Sequence, residues 1–332
     1  MRLAGAAALA AILLAACGPV AAHRGDAHEG PIRIVAQALP LDPADPARDH
    51  IGNFRFAGAL QLTSPGTGLF GGFSDLKMTG DGHLTSESDE GSLLTAHVVL
   101  GPDGRLTGID QARIVRLKGE DGRPLDGKKD ADAEGVAVWP NGDLMVSFER
   151  RHRIWLYPAG GGRPRAVPMP PVEMPSNQGM EALALAPSQG ADAYWVGIED
   201  GQLWLCRLTS RCYKAQGQLP PPPGWRLPAL FELDDGDLVV EHHHWDPVTG
   251  THVRIAVIEN PVTHLRPGYR DVLEIGPSMT IDNIEGVAVT KRPDGTRRFW
   301  LISDDNFAKK DQRTLLMAFD WTPPADGAAA KP

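Results

Sequence analysis

The chain has 332 residues and a formal net charge of −9, with 42% hydrophobic and 23% charged residues. That is apolar enough for a large core and excludes a disordered chain, while 37 Gly and 29 Pro make turns frequent and an all-helical bundle untenable. An acidic balance with no block of Lys and Arg excludes nucleic acid as a partner.

From the N-terminus, Arg2 precedes an uninterrupted small and apolar run, Leu3 to Ala16. The run is too short to span a bilayer and has the length of a signal-peptide core. It ends in Leu14-Ala15-Ala16-Cys17-Gly18, which resembles a bacterial lipobox. Residues 1–16 are then a lipoprotein-type signal peptide, and Cys17 takes the lipid that anchors an exported, periplasm-facing protein to an envelope membrane. Ordinary secretion with cleavage near Ala21-Ala22 is the alternative. Residues 17–31 are polar and patternless and read as a flexible tether. Residues 322–332, rich in Pro, Ala and Gly, read as a disordered tail. No linker interrupts residues 32–321, so one domain is expected there.

Within that domain, short runs of strand-forming residues flank two-residue turn signals: Asp81-Gly82, Asp103-Gly104, Asn141-Gly142, Asp200-Gly201, Asp235-Gly236 and Asp294-Gly295. Such pairs supply the positive φ of hairpin turns. After Asn141-Gly142, Leu144, Val146 and Phe148 alternate as a half-buried strand requires. The same unit recurs as Ser74-Asp75-Leu76, Glu134-Gly135-Val136, Glu181-Ala182-Leu183, a weaker Pro228-Ala229-Leu230, and Glu285-Gly286-Val287. With Asp75, Glu134, Glu181, Ala229 and Glu285 as markers, the interval is roughly 50 residues, the period of a propeller blade. The fold expected is all-β, a propeller of five or six four-stranded blades, with Ile32 to Leu39 and Asn53 to Leu62 completing the last blade or part of a sixth. A sandwich of stacked hairpins is the alternative. Cys206 and Cys212, six residues apart, suit a local disulfide in an oxidising compartment; a metal pair or two free thiols are the other readings.

First strands of propeller blades line the central channel, so Asp75, Glu134, Glu181 and Glu285 are expected to converge at one mouth. Crowded carboxylates raise one another's pKa or capture a cation, and Ca²⁺ suits oxygen ligands in an exported protein. The competing expectation is that each acid serves only the backbone of its own strand start. Second-strand ends add an outer ring: Glu87, Asp89, Glu149, Arg150, Glu199, Glu241, His242, Asp304, Asp305 and Asn306. There Arg150 would grip an anionic oxygen, and His242, Asp304 or Asp305 would handle protons. Of the three consecutive histidines, at most His242 and His244 share a face. The chain lacks a Gly-x-Ser-x-Gly elbow, a phosphate-binding loop, His-Glu-x-x-His and a dinucleotide fingerprint. Trp139, Trp155, Trp195, Trp204 and Trp300 lie in strand runs and are assigned to packing.

The series Phe70-Gly71-Gly72-Phe73-Ser74-Asp75-Leu76, Asp132-Ala133-Glu134-Gly135-Val136-Ala137, Asn177-Gln178-Gly179-Met180-Glu181-Ala182-Leu183, Asn283-Ile284-Glu285-Gly286-Val287 and Ser303-Asp304-Asp305-Asn306-Phe307 resembles the bacterial phytase-like family known as "esterase-like activity of phytase". The resemblance runs from about Arg55 to Phe319. It implies an exported β-propeller and a Ca²⁺-dependent esterase or phosphoesterase acting on a small anionic ester. Ala229 departs from the acidic pattern, and the sparse Lys and Arg disfavour phytate itself. A non-catalytic binding or scaffold propeller on the envelope is the alternative function.

Overall fold

The computed structural model describes residues 27–324; the signal segment, Cys17 and the end of the tail lie outside them. About half of the described residues lie in strands, and the helical content is a four-residue α-helix at Lys128–Ala131 and one 3-10 turn at Pro187–Gln189. No helix among the described residues is long and apolar enough to cross a membrane.

Five antiparallel sheets follow one another along the chain. Blade I runs outward through Phe73–Met78, His83–Ser88, Ser92–Leu100 and Leu106–Arg116. Blade II comprises Ala133–Val138, Leu144–Phe148, Arg153–Tyr157 and Arg165–Val167, and blade III Ala182–Leu185, Ala193–Gly197, Leu203–Arg207 and Tyr213–Lys214. Blade IV comprises Leu230–Glu232, Leu238–Asp246, Gly250–Ile258 and Tyr269–Ile275. Blade V takes Asn283–Lys291, Arg297–Asp304 and Thr314–Trp321 from the C-terminal side and Phe54–Thr63 from the N-terminal side. Val35–Leu39 is added at its outer edge. The two ends of the chain thus share one sheet, which closes the ring without an unpaired inner edge. Five blades account for every marker, and no sixth forms among the described residues.

Alternation along each strand sends successive side chains to opposite blade faces. The apolar residues accordingly gather in five clusters, one at each junction between neighbouring blades. The tryptophans assigned to packing fit this arrangement: Trp139, Trp195, Trp204 and Trp300 are buried. The glycine of the Glu-Gly pairs has a specific cause. A Cβ on Gly135 would lie 2.5 Å from the Glu181 carbonyl oxygen, and one on Gly286 would lie 2.8 Å from the Leu76 nitrogen. Innermost strands approach so closely that no side chain fits.

Cys206 and Cys212 form a disulfide, with a Cα separation of 3.9 Å. At the N-terminal side the ordered path begins before Ile32, since Gly30 and Pro31 pair with Ile114 and Arg113 on the outer edge of blade I. The expected tether therefore stops short of Pro31.

Candidate functional site

Each innermost strand of blades I, II and V carries a one-residue bulge where it enters the sheet. In blade II, Ala133 opposes Phe148 and Gly135 opposes Ser147, so Glu134 is the extra residue. Glu285 is the extra residue in blade V, where Ile284 opposes Ser303 and Gly286 opposes Ile302. A bulged residue is turned out of the ladder, and here it faces the open mouth of the ring. In blade I the bulge falls between Phe73 and Asp75, which makes Ser74, not Asp75, the counterpart of Glu134. Ser74, Glu134, Glu181, Pro228 and Glu285 all line a mouth cavity of about 1210 Å³.

Asp75 is the main correction to the expected ring. It stands at the register of Gly135 and Gly286, is fully buried, and does not line the cavity. Its carboxylate pairs with Lys77 Nζ at 2.5 Å and accepts the N–H of Val136 on blade II at 3.1 Å and of Leu76 at 2.7 Å. For Asp75 the structural role holds, and the carboxylate ties blade I to blade II.

Glu134, Glu181 and Glu285 behave differently. Among the described residues no hydrogen-bond donor reaches the carboxylate of Glu134 or Glu181, and Glu285 accepts only Asn283 Nδ2, at 2.7 Å. Burial, then Asp132 and Glu181, pushes Glu134 well above the usual carboxylate range. Burial, then Glu199 and Glu149, does the same to Glu181, and burial, then Asp304 and Glu181, to Glu285. Acids from different blades thus repel one another across the mouth.

The outer ring is partly as expected. Asp89, Glu149, Arg150, Asp304 and Asn306 line the mouth. Burial and Asp132 raise Glu149 to about 7, and burial raises Asp89 to about 6. Asp304 is pushed well up by burial and by Asp89. Arg150, with backbone φ of 53°, donates its Nε to Asp132 Oδ2 at 2.6 Å.

Two expected site residues lie elsewhere. Asp305 does not line the mouth: it accepts the N–H of Gly72 at 2.9 Å and of Phe307 at 3.1 Å and the Thr314 hydroxyl at 3.1 Å. It is a strap between the blade V loop and the Gly71-Gly72 turn, whose positive φ angles leave room for it. His242 is fully buried on the strand face opposite His243, and burial lowers it to about 4. His243 and His244 line the mouth and His242 does not, so the expected proton-handling role of His242 finds no place at the mouth.

Three residues of the site come from links between blades and had no strand pattern to reveal them. Lys128 Nζ binds both Asp89 and Asp132, the latter at 2.7 Å. Burial alone would lower Lys128, but Asp89, Asp132 and Glu134 outweigh it and hold it protonated. Asp132 lies just before the strand that carries Glu134, and its carboxylate is held by Lys128 and by Arg150. Arg226 reaches Glu199 at 2.9 Å. Asp132, Glu134 and Glu149 each bring an oxygen within 4.8 Å of the others. The cavity lining carries eight carboxylates against four Lys and Arg, so the mouth is a negative well.

The phytase-like family model, described as esterase-like activity of phytase, matches residues 68–307. The chain belongs to this family. The matched segment contains every mouth residue named above. No curated protein matches the sequence. Among solved structures, virginiamycin B lyase from Staphylococcus aureus is 9% identical over 87% of this chain and 100% of its own, with a TM-score of 0.43. The WD40 repeats of RRP9 are 12% identical over 86% of this chain and 100% of their own, with a TM-score of 0.41. Neither likeness bears on function.

Proposed function

We propose that this phytase-like propeller binds a hard divalent cation, Ca²⁺, at the mouth and hydrolyses a phosphate or other small anionic ester there. The observation that carries the reading is the trio Asp132, Glu134 and Glu149 at blade II, whose oxygens lie within 4.8 Å of one another, with no donor among the described residues reaching Glu134. The donor set suits such an ion, being all carboxylate oxygen. Asp89 Oδ1 and Glu199 Oε2 add buried oxygens that no donor reaches.

Asp132, Glu134 and Glu149 would hold the ion, with Glu181 and Glu285 adding charge from across the ring. When bound, the cation would polarise the ester and lower the pKa of a water molecule. Among the described residues Arg150 is engaged only through Nε, which leaves its other guanidinium N–H groups to take an anionic ester oxygen. Lys128 neutralises Asp89 and Asp132 and so limits the repulsion an anionic substrate would meet. The apolar run ending at Cys17 supports export and lipid anchoring, and the Cys206–Cys212 disulfide suits an oxidising compartment.

The test is a panel of phosphoesters and carboxyesters assayed with calcium and with excess chelator. Turnover that chelation abolishes and calcium restores is expected. Turnover indifferent to chelation, or none with calcium bound, contradicts the reading and leaves a scaffold propeller.

A further inference from the structure

Of the eight tryptophans, all within the described residues, Trp245 is the exposed one, with 63% of its surface free. It is also part of the mouth lining. Its position follows from a departure in blade IV. In blades I, II and III the second strand stops within one or two residues of the start of the first, at Ser88, Phe148 and Gly197. In blade IV the second strand runs on from Glu241, which pairs back to Ala229, through Asp246, and the third strand follows it from Gly250. Five extra residues extend this hairpin beyond the start of the innermost strand, with His242 and His243 still buried and Trp245 exposed.

The hairpin is braced. Asp246 accepts the N–H groups of Val248 and Thr249 at 2.8 and 2.9 Å, which sets the tip. Trp225 stacks on His244 with ring centres 5.4 Å apart. Arg226 and His243 exchange backbone hydrogen bonds at 2.9 and 3.1 Å, so the link between blades III and IV adds a bridge to the hairpin.

Side chains two apart share a face, and Trp245 opposes Thr251 across the ladder. His243, Trp245 and Thr251 therefore present one surface, and all three line the mouth. Beside them lie apolar Pro228 and Ile281 and the guanidinium of Arg226, 69% exposed. This side of the cavity offers a flat aromatic ring, apolar carbon and hydrogen-bonding groups, whereas the lining carboxylates come from blades I, II, III and V and the loops beside them. An aromatic face flanked by hydroxyl, imidazole and guanidinium matches a molecule with a C–H face and a polar rim.

We propose that Trp245 is a stacking platform for the non-reacting part of the substrate, and that this part is a pyranose ring: the preferred ester is a hexose phosphate. The proposal rests on the calcium-hydrolase reading, and its binding test reads the platform separately from turnover. Glucose 6-phosphate and the acyclic glycerol 2-phosphate are titrated calorimetrically into the calcium-loaded protein, as wild type, Trp245→Ala and Trp245→Phe. Trp245→Ala is expected to weaken glucose 6-phosphate about tenfold, in the range of one aromatic contact, and to leave glycerol 2-phosphate within about twofold. Trp245→Phe keeps most of the affinity. Equal losses for both ligands, no loss for either, or no binding of glucose 6-phosphate to the wild type overturns the platform. Selective binding without turnover of any ester keeps the platform and removes the hydrolase.

Discussion

Asp75 and Glu134 open adjacent innermost strands, and each is pressed upward in pKa by burial, yet they do opposite work. Asp75 occupies a ladder position: its oxygens are taken by Lys77 and by two backbone N–H groups. Glu134 occupies a bulge one register earlier, and no donor reaches it. A single residue of register thus separates a carboxylate that holds two blades together from one that is free for a ligand.

The largest expected effect breaks this comparison at Asp75. Asp75→Ala leaves Lys77 and the Val136 N–H without their partner and is expected to cost about 3 kcal/mol in denaturant unfolding, while calcium affinity of the folded protein stays within about twofold. A ligand role for Asp75 would show as lost calcium binding with little loss of stability. Glu134→Gln is the mirror image. It keeps the shape and removes a repelled charge, so metal-free stability holds or rises, and calcium affinity falls about tenfold, or about 1.4 kcal/mol by calorimetry.

A pH titration sharpens the contrast with a smaller effect. Asp75 and Asp89 sit at about 6 and Glu149 at about 7, above their unfolded values near 4. The folded state therefore holds these protons more tightly than the unfolded chain. The stability they add is complete below about pH 4 and is lost as pH rises through about 6 to 7. His242 and His243, lowered by burial to about 4, act in the other sense and lose stability as pH falls from about 6.5 towards 4. The metal-free protein is expected to melt at a lower temperature at about pH 8 than at about pH 6, and calcium to close most of that gap by relieving the ionised mouth acids. A gap that calcium does not narrow assigns the pH dependence to groups away from the mouth. The smallest effect belongs to His242→Leu. Both ring nitrogens of His242 are buried without partners, so stability is expected to hold or rise slightly and ester turnover to stay within about twofold. Loss of turnover would return His242 to the site.

The repeat, the all-β class and three of the mouth acids were legible because blade chemistry recurs locally: a bulged acid, a glycine where innermost strands touch, then an apolar run. The register of blade I was not. Aligning Ser74-Asp75-Leu76 with Glu134-Gly135-Val136 places Ser74 at the acid position, but a nearby aspartate draws the eye, and a bulge has no residue signature of its own. In blade IV the same alignment puts Pro228, not Ala229, at the acid position, and Pro228 lines the mouth. Lys128, Asp132 and Arg226 were out of reach because inter-blade links carry no period. The blade count followed only from closure, since Phe54–Thr63 pairs with Thr314–Trp321 across almost the whole chain.

The most direct test is a crystal structure of the protein grown with calcium. The account predicts an ion bonded to Glu134 with oxygens of Asp132 or Glu149, and Asp75 still on Lys77. An ion held by Asp75, or a mouth in which Glu134 and Glu181 bind only protein donors at saturating calcium, would contradict it.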